Sequence, residues 1–130
     1  MKREAAALSK LSGAELEIMR KVWELSEPVT VSRMLEIFFE SRKWKTSTLS
    51  TLLDRLIEKG FLTKTLKGKV NFYAPLLTED DYKERETQAF LSSVHNGSVK
   101  SFIAALADGG ISPEEVRELR AWFQEKSGER

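Results

Sequence analysis

Residues 44–73 read WKTSTLSTLLDRLIEKGFLTKTLKGKVNFY, and their pattern decides the fold. The first half carries apolar residues at Leu49, Leu52, Leu53, Leu56 and Ile57, the spacing of a helix with one buried face. Gly60 after Lys59 is a helix stop, because glycine takes the left-handed backbone that ends helices at little steric cost. Two β-prone runs follow, Phe61 to Leu66 and Val70 to Tyr73, joined by Lys67-Gly68-Lys69. A short glycine-containing link between such runs predicts a hairpin. Leu62, Leu66, Val70 and Phe72 or Tyr73 are expected to cover the core. A helix leading directly into a hairpin with a basic tip is the pattern of a winged helix.

Upstream, Ser12 and Glu15 have capping-box spacing and open a helix with Leu16, Met19, Val22, Trp23 and Leu25 inward. Glu27-Pro28 ends it, since proline disfavours helical geometry at the residue before it. Val29-Thr30-Val31 is β-branched and could pair as a minor third strand. A second helix is expected over about Ser32 to Ser41, with Met34, Leu35, Phe38 and Phe39 inward. The second helix and the basic one after it make a helix-turn-helix, the first of the pair a buttress and the second the groove reader.

Downstream of Pro75 the pattern turns helical and acidic. Thr78 caps a helix whose first turn holds Glu79, Asp80 and Asp81, a placement that suits the helix dipole. A turn at His95-Asn96-Gly97-Ser98 and a stop at Asp108-Gly109-Gly110 bound a further helix. Ser112-Pro113-Glu114-Glu115 is a second capping box, with proline at the first helical position. The fold class expected is mainly α with a small β-hairpin. Residues 1–76 form a winged helix-turn-helix domain and residues 77–130 a helical dimerisation segment. Residues 1–10 read as a loose arm, and Lys126 to Arg130 should fray.

The C-terminal helices are short and carry wide apolar faces, too little to build a core alone. Tyr82, Phe90, Val94, Val99, Phe102, Ile103, Leu106, Val116, Leu119, Trp122 and Phe123 are therefore expected at the interface of a homodimer.

Net charge is +1, but it is unevenly spread. Between Arg42 and Lys69, eight basic residues stand against Asp54 and Glu58. A basic patch on a balanced chain points to a local polyanion. The DNA-contact candidates are Arg42, Lys43 and Lys45 in and after the turn, and Thr46, Ser47, Thr48, Ser50 and Thr51 on the early helix. Arg55 could reach a phosphate or pair with a glutamate. Lys64, Lys67 and Lys69 on the wing complete the set. Small hydroxyl side chains approach base edges closely and bond either bases or phosphates. Thr46 or Ser47 could equally be the helix cap. A winged helix can also be a protein-interaction module, its basic patch facing an acidic protein partner.

Other classes are disfavoured. The absence of cysteine removes disulfides, thiolate metal sites and cysteine nucleophiles. His95 is the only histidine, expected in a turn with no metal-ligand spacing, so no catalytic residue, metal or cofactor is expected. No apolar run approaches membrane-spanning length, and MKREAAALSK lacks a signal-peptide core, which fits a cytoplasmic chain.

The chain resembles the penicillinase-repressor group of bacterial winged-helix repressors, which includes the methicillin-resistance repressor and a copper-responsive operon repressor. The residues that carry the resemblance are Leu11-Ser12-x-Ala14-Glu15 with Val22-Trp23, and the helix from Trp44 through Thr48-Leu49-x-Thr51-Leu52-Leu53-x-Arg55-Leu56 to Lys59-Gly60. Gly68-Lys69 with Tyr73-x-Pro75-Leu76 and Gly97-Ser98-Val99 follow, then Ser112-x-Glu114-Glu115 with Glu118-Leu119. The resemblance implies a homodimer bound to a dyad-symmetric operator, with repression relieved by a signal such as a sensor protease or a small-molecule inducer. In the antibiotic-resistance members the protease cuts an Asn–Phe bond, and Ala105-Leu106 stands at the matching position here. The copper-responsive members use a cysteine motif that this chain lacks.

Overall fold

A computed structural model of the chain describes residues 10–128. Among the described residues, six helices and one hairpin run in the order α1 (Gly13–Leu25), α2 (Val31–Ile37), α3 (Thr46–Glu58), β1 (Leu62–Lys67), β2 (Val70–Pro75), α4 (Glu79–His95), α5 (Val99–Asp108) and α6 (Pro113–Gly128). The chain divides into two compact units, Met1–Glu86 and Thr87–Arg130.

The first unit has the buried core. Ile18, Met19 and Val22 of α1 meet Met34 and Phe38, the leucine stripe of α3, and Phe61, Leu62 and Tyr73 of the hairpin. The Ser12 capping box is formed: the Ser12 N–H donates to Glu15 Oε1 at 2.8 Å, and the Glu15 N–H donates to Ser12 Oγ at 3.1 Å. Helix α3 ends in a Schellman motif. Gly60 has φ +86°, its N–H reaches the Ile57 carbonyl, and the Phe61 N–H reaches the Leu56 carbonyl. The strands pair antiparallel from Leu62↔Pro75 to Lys67↔Val70. That register leaves a two-residue loop, Gly68-Lys69, with positive φ at Gly68 alone, as a type II′ turn requires. The minor third strand is a single bridge between Val29 and Tyr73, whose N–H groups donate to each other's carbonyls at 2.9 and 2.7 Å.

Three expectations are corrected. Helix α2 stops at Ile37 rather than near Ser41, because the chain tightens into turns in which the Arg42 and Lys43 amides both return to the Phe38 carbonyl. Phe39, expected inward, is exposed for the same reason: the helical period that would carry it to the core ends before it. Leu66 and Val70 are also exposed, because the hairpin tip runs out past the core, which the hairpin joins through Phe61, Leu62 and Tyr73.

In the second unit, Ser98 caps α5, and Ser112 with Glu115 forms a reciprocal capping box at α6. Helix α6 runs to Gly128, and of the stretch expected to fray, residues 129–130 lie outside the described residues. The expected arm over residues 1–10 lies, apart from Lys10, outside the described residues. Among the described residues, no helix is long and apolar enough to cross a membrane.

Candidate nucleic-acid interface

Helix α3 turns Leu49, Leu52, Leu53 and Leu56 into the core, which forces its other face outward. Thr46, Ser47, Thr48, Thr51 and Arg55 are exposed, and Ser50 is half-buried. Neither Thr46 nor Ser47 is the cap. The N-cap is Lys45, whose ammonium cannot accept, and no side chain caps the helix. The first amides of α3 thus keep their donors for an outside acceptor, at the positive end of the helix dipole. Thr51 spends its hydroxyl proton on the Ser47 carbonyl at 3.0 Å, leaving its oxygen as an acceptor. Ser47, Thr51, Asp54 and Glu58 share one row at helical spacing. That row is uncharged over its first half and acidic over its second, so only the N-terminal half of α3 suits a polyanion.

The basic patch resolves into two kinds of residue. Lys43, Lys45, Arg55, Lys64 and Lys69 are exposed and form no ion pair among the described residues. The same holds for Lys67, whose ammonium lies 5.8 Å from the centre of the Phe72 ring. The glutamate partner considered for Arg55 is therefore not found there. Arg42 is engaged: its Nε and Nη2 donate to the two carboxylate oxygens of Glu17 at 3.0 and 2.6 Å, and its guanidinium lies 5.4 Å from the Trp44 ring. The Arg42 hydrogen bond lowers the Glu17 pKa, and the Arg42 pKa rises in turn. Lys59, at the other end of α3, donates to Glu15 Oε1 at 2.7 Å and to the Lys10 carbonyl at 2.9 Å. Burial of Glu15 would push its carboxyl up. The hydrogen bonds from Lys59 and the Ser12 N–H outweigh that and hold it below the ordinary value.

Among the residues expected at a dimer interface, Tyr82 is placed in the first unit, its ring 5.5 Å from Trp23 and 5.6 Å from Phe61. In the second unit Phe90, His95 and Phe102 form an edge-to-face cluster with centroids 5.4 to 6.3 Å apart. His95 is the last residue of α4, not a turn residue, and its Nδ1 lies 2.8 Å from Ser101 Oγ. Val94, Val99, Ile103, Leu106, Val116, Leu119, Trp122 and Phe123 are 36–60% exposed, and α5 and α6 enclose two apolar hollows lined in part by Leu106, Leu119 and Trp122 or Phe123.

The partners of Glu15, Glu17 and Lys59 escaped the sequence reading. Glu15 was legible as a cap, but nothing local pairs it with a lysine 44 residues away.

Known proteins bear on this arrangement. The family model for the penicillinase repressor matches residues 11–125. The chain is similar to the penicillinase repressor of Bacillus licheniformis, with 32% identity over 119 residues, covering 91% of this chain and 92% of that one. It is similar to the methicillin resistance regulatory protein MecI of Staphylococcus aureus (strain N315), with 27% identity over 118 residues, covering 90% and 95%. Among solved structures it is similar to the DNA binding domain of the repressor BlaI, with a TM-score of 0.51 and 33% identity over 58% of this chain and 90% of that one. That likeness makes the N-terminal unit a winged helix, and the matched family is one of repressors rather than enzymes. The chain belongs to the penicillinase repressor family.

Proposed function

We propose that this chain is a sequence-specific, double-stranded-DNA-binding transcriptional repressor of the cytoplasm, acting as a homodimer on a dyad-symmetric operator. The observation that carries the reading is the exposed N-terminal half of α3, with uncapped amides and small hydroxyls, on the same unit as a lysine-tipped wing. In this reading α3 enters the major groove, where Ser47, Ser50 and Thr51 meet base edges and the first amides take a phosphate. Lys43, Lys45, Lys64, Lys67 and Lys69 meet neighbouring phosphates, which set register and orientation. Residues 1–76 carry the DNA contacts and residues 77–130 the pairing. The exposed apolar faces of α5 and α6 support that division, since a second copy would remove them from water. Two recognition helices then sit about 34 Å apart, or a multiple of it.

The test is a gel shift with DNA flanking the protein's own gene, repeated across salt. Operator binding is expected to exceed binding to random DNA and to fall steeply as salt rises, through counterion release. Equal affinity for both DNAs, with no salt slope, would refute the reading.

A further inference from the structure

Two cations near the ends of α3, Arg42 before it and Lys59 at its C-cap, are held by carboxylates two residues apart on α1. Glu17 takes Arg42 in a two-pronged pair, and Arg42 also covers the Trp44 ring, which packs 5.0 Å from Phe38 of the core. Glu15 is 1% exposed, and Lys59 is its only cationic partner among the described residues. The turn after α2 and the Schellman end of α3 are thus both tied to α1. A planar guanidinium matched to a carboxylate fixes direction as well as distance.

We infer that Glu15 and Glu17 brace the recognition helix at both ends, so that Arg42 and Lys59 govern operator binding as positioning residues rather than as phosphate contacts. The inference rests on the reading of α3 as the DNA-facing helix. It assigns Arg42, which the sequence placed among the DNA-contact candidates, a different role. The two roles make opposite demands on Glu17. If Arg42 bound phosphate, Glu17 would be a competitor for it, and removing the acid would strengthen binding to any DNA. If Arg42 positions α3, removing either partner loosens the helix and weakens binding to the operator selectively.

The experiment compares Arg42→Gln, Glu17→Gln and the double variant in operator and random-DNA binding across salt. Both single variants are expected to lose roughly two- to fivefold in operator affinity per half-site, on the scale of an exposed ion pair. The double variant should be no worse than either, and the salt slope should not change. A slope reduced by about 0.9 per protomer in Arg42→Gln, or tighter binding in Glu17→Gln, would overturn the inference. Amide hydrogen exchange on the free protein supplies a readout that needs no DNA. Glu17→Gln should speed exchange at Arg42, Lys43 and Leu49, and Glu15→Gln at Gly60 and Phe61. Unchanged exchange in both would overturn the bracing even if DNA binding held. Faster exchange in both variants, with a wild-type protein that shows no operator preference, would support the bracing and discard the DNA reading instead.

Discussion

The indole Nε1–H of Trp23 donates to the carbonyl of Leu77 at 2.9 Å, joining the last turn of α1 to the segment that leaves the wing, 54 residues further on. The Leu76 N–H is bonded to the Phe61 carbonyl at 2.9 Å, so the exit of the hairpin is held from two sides. Trp23→Phe keeps most of the ring and removes the donor. It is expected to cost about 1 kcal/mol, the worth of one part-buried hydrogen bond, read from the midpoint of urea unfolding at unchanged slope.

Glu15 predicts an acid dependence with a definite sign. Its carboxyl titrates lower in the folded chain than its ordinary 4.5, so the stability it contributes is fully present above that value. It is lost as pH falls through the lower, folded value. Glu15→Gln should therefore lower the thermal midpoint more at neutral pH than at about pH 3, where the wild-type advantage shrinks. Lys59→Met, which leaves the buried carboxylate without its cation, should cost roughly 1–3 kcal/mol at neutral pH. A constant gap between wild type and Glu15→Gln across that range would contradict this account of the pair.

Gly60 stands where α3 must stop for the wing to begin. Its φ of +86° strains any L side chain, although a Cβ there would meet no atom within 4 Å. Gly60→Ala is expected to cost about 1–2 kcal/mol through backbone strain alone. Denaturant unfolding measures it, and a loss well beyond that range would point to a packing clash that the structure does not contain.

The wing lysines should act electrostatically. Lys67→Gln with Lys69→Gln is expected to weaken operator and random DNA by a similar factor and to lower the salt slope by about 0.9 for each phosphate left without its lysine. Replacing Ser47, Ser50 and Thr51 by Ala should instead change base preference with the slope retained, as binding to a randomised half-site library would reveal.

Pairing through the second unit can be tested at positions exposed in the protomer. Ile103→Glu with Leu119→Glu should leave helix content unchanged, because both side chains are over 40% exposed. It should give a monomer by sedimentation. Operator affinity should drop about 10²–10⁴-fold, since the second half-site is no longer delivered at high effective concentration. An unchanged sedimentation coefficient would place the pairing surface elsewhere.

By itself the sequence determined most of the elements that depend on neighbours a few residues apart. The leucine stripe of α3, the Gly60 stop, the Gly68 turn and the Ser12 and Ser112 caps are all local patterns, and each stands where the spacing put it. The outward hydroxyl face of α3 was legible too, because a helix that buries its leucines must expose the rest. Tertiary structure decided what lies beyond that range. It set how far the hairpin overhangs the core, and hence the exposure of Leu66 and Val70, and it took Tyr82 to the rings of Trp23 and of Phe61. It also sorted one run of like charges into cations left to solvent and two clasped by α1. Charge pairing across 25 and 44 residues depends on which helix faces come together, and sequence spacing carries no record of that.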